Sequence, residues 1–171
     1  MKKGMKVALA TTVALGTFAV ADLAPNSDSH TQAAETEYVK PWYDYNGYAG
    51  YDNNFVTEQV LINALKENNI TINNTQLDLS NQGSDFYDTE PTVKEIYDQE
   101  YKFYDSVHAS YVGFEVKNDL LTFDNVRAAY DNYPRTFDEE TNAYTYDVNG
   151  QYISFTVDGN IVTKVELGYP S

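Results

Sequence analysis

His108 is the only imidazole beyond residue 34, and so the only side chain there whose ordinary titration falls near neutral pH. A Ser-His-Asp triad would have to use it as base, and no G-x-S-x-G nucleophile elbow is present to partner it. Its ordinary role is a strand-edge or surface histidine. With no cysteine, thiolate chemistry, zinc ribbons and disulfides are excluded. H-E-x-x-H, the phosphate-binding P-loop and G-x-G-x-x-G are absent as well. Asp138-Glu139-Glu140 offers carboxylates beside a turn. A glycosidase needs two of them facing across a cleft, and in a chain with 26 Asp+Glu such runs arise by chance. An EF-hand frame centred on Gly150 puts Thr145 at its first position and Thr156 at its last, where calcium needs carboxylates. We therefore expect no catalytic set, no metal and no cofactor.

The other chemistry-bearing group is aromatic. Tyr43, Tyr45, Tyr48 and Tyr51 are the densest cluster among 16 tyrosines. Such faces can stack on bases or sugars. They can equally line a core, since aromatics are common in strands. A nucleic-acid site also needs cations. Only Lys40 is close in sequence, with Lys94, Lys102 and Arg127 as the candidate phosphate contacts further on. The formal net charge of −15 makes this a poor default binder of a polyanion.

The elements that must position these groups read as follows. Lys2, Lys3 and Lys6 precede an uncharged apolar run, Val7 to Val20, which has the layout of a secretory signal and is too short for a bilayer span. Ala21, Ala33 and Ala34 are the cleavage candidates. Residues 1–34 then form signal and leader, and residues 35–171 one exported domain. Three of the 11 Lys+Arg and two of the 26 Asp+Glu precede residue 35, so that domain carries a net −16. Its size suffices to bury roughly two thirds of its unfolded surface without disulfides, and its charge favours a self-repelling monomer. No later apolar run is long enough to span a membrane, which points to a secreted or loosely surface-attached product.

Within residues 35–171, positions 42–51 read as a strand or extended aromatic hairpin. Asn53 or Asn54 caps a helix whose apolar half is Val56, Val60, Leu61, Ala64 and Leu65, and Asn68-Asn69 ends it. Ile70–Ile72 and Gln76–Leu79 flank Asn73-Asn74 as a short hairpin. Residues 81–92 form a loop. Positions 93–107 fit a helix or a strand. Tyr111, Gly113 and Glu115 alternate with Val112, Phe114 and Val116 as a strand. Thr122 caps a second helix to about Tyr130, and Pro134 prevents its continuation. Asn149-Gly150 marks a two-residue hairpin that pairs Tyr146 with Ile153 and Tyr144 with Phe155. At the next turn a three-residue Asp158–Asn160 loop would pair Val157 with Ile161 and Ile153 with Val165. The fold class is α+β: an antiparallel sheet with a C-terminal three-stranded meander, its Tyr144/Phe155/Val165 face packed on two or three short helices.

Several colinear segments carry a resemblance: Tyr45-Asn46-Gly47-Tyr48 with Asn54-Phe55, Ile62 to Lys66, Tyr97-Asp98-Gln99, Val116-Lys117-Asn118, Ala129-Tyr130, Phe155 to Asp158 and Val162 to Gly168. In that order, with Gln32-Ala33-Ala34 at the end of the leader, the chain resembles the immunodominant staphylococcal antigen B family over most of its length. The resemblance implies a small secreted or surface-associated antigen without known enzymatic activity, to which extracellular nucleic-acid binding is attributed. The expected function is therefore a non-enzymatic binding module for a host or bacterial extracellular macromolecule, with nucleic acid as one candidate that the acidity disfavours. The alternatives are a cell-envelope carbohydrate-active enzyme using paired carboxylates, or an inhibitor-like module on another exported protein.

Overall fold

Sustained alternation in the second half of the chain produces strands, and the only two α-helices among the described residues are short. The computed structural model describes residues 5–7, 38–80 and 90–168. The cleavage candidates Ala21, Ala33 and Ala34, and most of the expected leader, lie outside them. In chain order the elements are β1 (Met5–Val7), β2 (Tyr43–Asn46), a 3-10 turn (Asn54–Thr57), α1 (Gln59–Lys66), β3 (Ile70–Ile72), β4 (Thr75–Gln76), β5 (Thr92–Ile96), β6 (Gln99–Phe103), β7 (Tyr111–Glu115), α2 (Phe123–Tyr130), β8 (Arg135–Asp138), β9 (Ala143–Val148), β10 (Gln151–Asp158) and β11 (Ile161–Leu167). They form a four-stranded sheet, β1-β2-β3-β4, and a seven-stranded sheet, β5-β6-β7-β11-β10-β9-β8. Every pairing in the larger sheet is antiparallel, and the β2–β3 pairing in the smaller is parallel.

The core forms where the inward rows of the large sheet meet α1, α2 and the smaller sheet. Phe55 is its aromatic pivot, fully buried and stacked at 4.2 Å on Tyr45, 6.1 Å on Tyr43 and 6.0 Å on Phe114. On α2, Tyr130 packs against Tyr146 and Phe155 at 5.3 and 5.5 Å and donates its hydroxyl proton to the Val56 carbonyl at 2.6 Å. Phe123 stacks on Tyr144 at 4.2 Å. The helix starts as its sequence suggests. Thr122 and Asn125 form a reciprocal capping box, and Asp124 sits in the first turn.

The strand order β9-β10-β11 is as expected, and Asn149-Gly150 closes the first hairpin in the expected register, Ile153 on Tyr146 and Phe155 on Tyr144. The second turn differs. In place of the expected Val157–Ile161 and Ile153–Val165 pairs, Asp158 pairs with Ile161 and Val157 with Val162, and a bulge after Thr156 then sets Phe155 opposite Val165 and Ile153 opposite Leu167. A bulge absorbs the odd residue that a longer loop would have absorbed. The stretch 42–51 is no hairpin. Only Tyr43–Asn46 is strand, running parallel to β3, and residues 47–52 turn back over the large sheet. Asn53 heads the 3-10 turn without capping it: its Nδ2 donates to Gly50 O and Asn118 Oδ1, its Oδ1 accepts no hydrogen bond, and α1 begins only at Gln59. Positions 93–107 resolve as the β5–β6 hairpin, with Tyr97 at its turn in the left-handed region (φ 58°). Asn68, Asn73 and Asn74 also adopt positive φ, ending α1 and turning β3 into β4 as their side chains favour. Strand β8 carried no sequence signal.

Gly50 lies where two parts of the chain touch. A Cβ there would stand 2.3 Å from the Glu115 carbonyl oxygen. Gly50→Ala should therefore lower the urea midpoint, by an amount in the 1–3 kcal/mol range of core overpacking. Phe55→Ala should cost about 3–5 kcal/mol through its cavity. Unchanged unfolding curves for both variants would contradict the docking described.

Candidate functional site

The turn after β2 is pinned by side chains from β5–β6 and β3. Asp98 accepts the Ala49 and Gly50 N–H groups, each at 3.0 Å. Asn73 accepts from Gly47 N at 2.7 Å and donates back to Gly47 O at 3.1 Å. Gln99, also buried, bonds to both Asn73 and Asp98. On the far side Gly50 O accepts from Lys117 N at 2.7 Å, and Asn118 donates to Tyr51 O at 2.7 Å. This fastening decides the fate of the tyrosine cluster. Tyr43 and Tyr45 are buried (1% and 0% exposed), whereas Tyr48 and Tyr51 stand in solvent (51% and 59%).

Tyr48 meets Tyr97, 60% exposed, with ring centroids 5.0 Å apart and planes at 82°. Beside this aromatic corner runs a groove of about 380 Å³ on the outward face of β5, β6, β7 and β11. Its floor is Gly113, across which the Tyr111 ring lies flat. A Cβ at Gly113 would stand 2.4 Å from the Tyr111 hydroxyl. That hydroxyl donates to Glu166 Oε1 at 2.6 Å, and Lys164 Nζ binds the same oxygen at 2.8 Å. Lys102 Nζ sits 4.4 Å from the centre of the Tyr111 ring. Burial, then the Glu166 bond, then the charges of Glu100 and Glu115, push the Tyr111 phenol far above its ordinary range. Glu95, Glu115 and Lys117 complete the walls.

The cations named as candidate phosphate contacts are not gathered here. Lys94 and Lys102 stand on neighbouring strands but opposite faces, Lys94 opposite buried Tyr101 and Lys102 opposite exposed Val93. Lys94 Nζ lies over Phe103 at 4.4 Å. Arg127 is on α2, 3.9 Å from Asp131 in an exposed pair of small energetic weight. His108 is on the surface, 3.3 Å from Asp105, whose carboxyl is held below its usual range chiefly by the His108 and Val107 backbone N–H groups. Among the described residues no three His, Cys, Asp or Glu are grouped to hold a metal ion, and no helix is long and apolar enough to cross a membrane.

Sequence reasoning missed Tyr97 and the groove carboxylates. The alternation Tyr111-x-Gly113-x-Glu115 was the available signal: a glycine between a tyrosine and a glutamate on one strand face leaves room for a ring to lie over it. Tyr97-Asp98 lacks the Gly or Asn that usually marks a hairpin turn.

Fold and groove define the class: an α+β protein with a recessed, aromatic-edged polar face on an antiparallel sheet. The family model described as immunodominant staphylococcal antigen B matches residues 42–167, and the chain belongs to that family. Curated relatives of that name from Staphylococcus aureus strains USA300, NCTC 8325 and COL are each 30% identical over 180 residues, covering 99% of this chain and 96% of theirs. They are named as antigens rather than as enzymes. No solved structure matches the chain.

Burial raises the phenol pKa of Tyr43, Tyr45, Tyr101, Tyr111 and Tyr130 well above the ordinary 10.0. The folded protein holds these protons above pH 10 while the unfolded chain releases them. Their stabilisation is thus fully present below pH 10 and falls as pH rises beyond it, by up to about 1.4 kcal/mol per group per pH unit. Absorbance at 295 nm should show the buried set titrating only in a cooperative step that coincides with loss of circular dichroism. Smooth titration of all tyrosines without unfolding would contradict the buried assignments.

Proposed function

We propose that the chain is an exported, non-enzymatic binding module and that the groove beside Tyr48 and Tyr97 is its ligand site. The observation that carries the reading is the exposed tyrosine corner itself. Two large rings are held in solvent by a dedicated hydrogen-bond network next to a concave surface, and exposed aromatic surface of that kind marks interaction sites. Export is supported by the basic start and the apolar run from Val7 to Val20, and by relatives named as antigens. The partner is an extracellular macromolecule of host or bacterium.

Nucleic acid fits this surface poorly. Affinity for phosphate backbones rests on clustered Lys and Arg. Here Lys164 is bound to Glu166, Lys102 lies over Tyr111, and Lys94 faces the other way. An electrophoretic shift with about 20-nucleotide single- and double-stranded DNA, at about 20 and then about 150 mM salt, should show no complex at micromolar protein. A shift at low salt that fades at high salt would contradict this assignment. In parallel, peptide and glycan arrays should yield ligands whose retention falls about tenfold in the Tyr48→Ala/Tyr97→Ala variant, a loss typical of removing aromatic contacts. Ligands bound equally well by both proteins would place the site elsewhere.

A further inference from the structure

We infer that the groove receives a cationic polypeptide segment, with a lysine or arginine side chain seated between the Tyr48–Tyr97 corner and the carboxylates of Glu95, Glu100 and Glu115. The inference rests on the reading of the groove as the binding site and adds the ligand's chemistry.

Three observations carry it. Glu95 and Glu100 are direct cross-strand partners in the β5–β6 hairpin, and both are exposed. Like charges directly opposite on a sheet oppose pairing, yet among the described residues neither forms an ion pair. Glu115 stands on the next strand of the same face, and both Glu100 and Glu115 act on the Tyr111 hydroxyl. The groove's own cations offset this only in part: Lys117 and Lys164 face Glu95, Asp98, Glu100 and Glu115 in its lining, and Lys164 is already bound to Glu166. A cation entering from solvent would relieve the repulsion that the hairpin otherwise carries.

The second observation is an internal precedent. Lys102 already places its ammonium 4.4 Å from the Tyr111 ring centre on this face, the contact proposed for the ligand at Tyr48 and Tyr97. The third is the field of the whole chain. A formal net charge of −15 attracts cationic segments and repels polyanions at long range. A neutral glycan could use the rings but would leave the opposed carboxylates unrelieved.

The test uses the purified protein with fluorescein-labelled decalysine, and an N-acetylglucosamine oligomer as neutral probe, followed by fluorescence anisotropy and calorimetry. Decalysine should bind with an affinity that declines with salt, and Tyr48→Ala/Tyr97→Ala and Glu100→Gln/Glu115→Gln should each weaken it about tenfold. A control with the same charge change at the opposite sheet edge, Glu139→Gln/Glu140→Gln, should leave the affinity within about twofold, since distant exposed charges are screened. Glu100→Gln should also raise the melting temperature while it weakens binding, a trade that a purely structural glutamate would not show. Equal weakening by the groove and control variants would overturn the inference, reducing the effect to overall charge. Groove-dependent binding of the neutral oligomer with groove-independent binding of decalysine would overturn the cationic ligand and leave the groove as the site. Failure of both probes to respond to the tyrosine changes would overturn both.

Discussion

The Asp98 carboxylate, accepting two backbone N–H groups from a turn nearly fifty residues earlier, is the contact on which the rest of the architecture depends. Hydrogen bonds to a charged acceptor are worth about 1.5–3 kcal/mol each, more than the neutral bonds around them. Asn73 and Gln99 extend the contact into a buried amide cluster that joins the turn after β2 to both sheets. Such a network stabilises only when its members find partners together. Gly50 then permits the close approach to the Glu115 carbonyl, because any side chain would hold the turn away from β7.

From that fastening follows the division of the aromatic stretch. Tyr43 and Tyr45 alternate inward on β2 and clasp Phe55, while Tyr48, beyond the strand, is turned outward against Tyr97. The groove beside them is shaped by a second economy of space, the Tyr111 ring lying over Gly113 to reach Glu166. The outward face of the large sheet is therefore neither a plain solvated surface nor an apolar one. It is an acidic, tyrosine-edged recess, and the absence of a gathered cationic strip sets its chemistry apart from that of a phosphate-binding surface.

Much of this was legible from pattern. The capping box at Thr122, the Asn149-Gly150 hairpin register and the α1 apolar stripe are local signals, and local geometry decides them. Asn53 does not cap a helix, because its Nδ2 is anchored on Gly50 O and on Asn118 from a distant loop while its Oδ1 meets no helix N–H. The bulge after Thr156 was invisible because the pattern was matched to a turn length with unbroken pairing, whereas here a two-residue turn and an extra residue in β11 together keep Phe155 and Val165 on one face. β8 is exposed along its whole length and so has no buried row to betray it. Of the four clustered tyrosines, two are core and two exposed. No periodicity distinguishes them, since the strand ends between Tyr45 and Tyr48. Tyr97 and the groove glutamates come together only through the antiparallel registers of β5, β6, β7 and β11.

The division of the tyrosines is the claim that everything functional here requires, and their reactivity tests it directly. Limited nitration with tetranitromethane, mapped by peptide mass spectrometry under native conditions, would rank each ring by access. Tyr48, Tyr51 and Tyr97 should be modified early, with Tyr43, Tyr45, Tyr101 and Tyr130 protected until the protein unfolds. Modification of Tyr43 and Tyr45 at the same rate as Tyr48 would mean that the turn is not fastened by Asp98 and that the aromatic corner is not built as described.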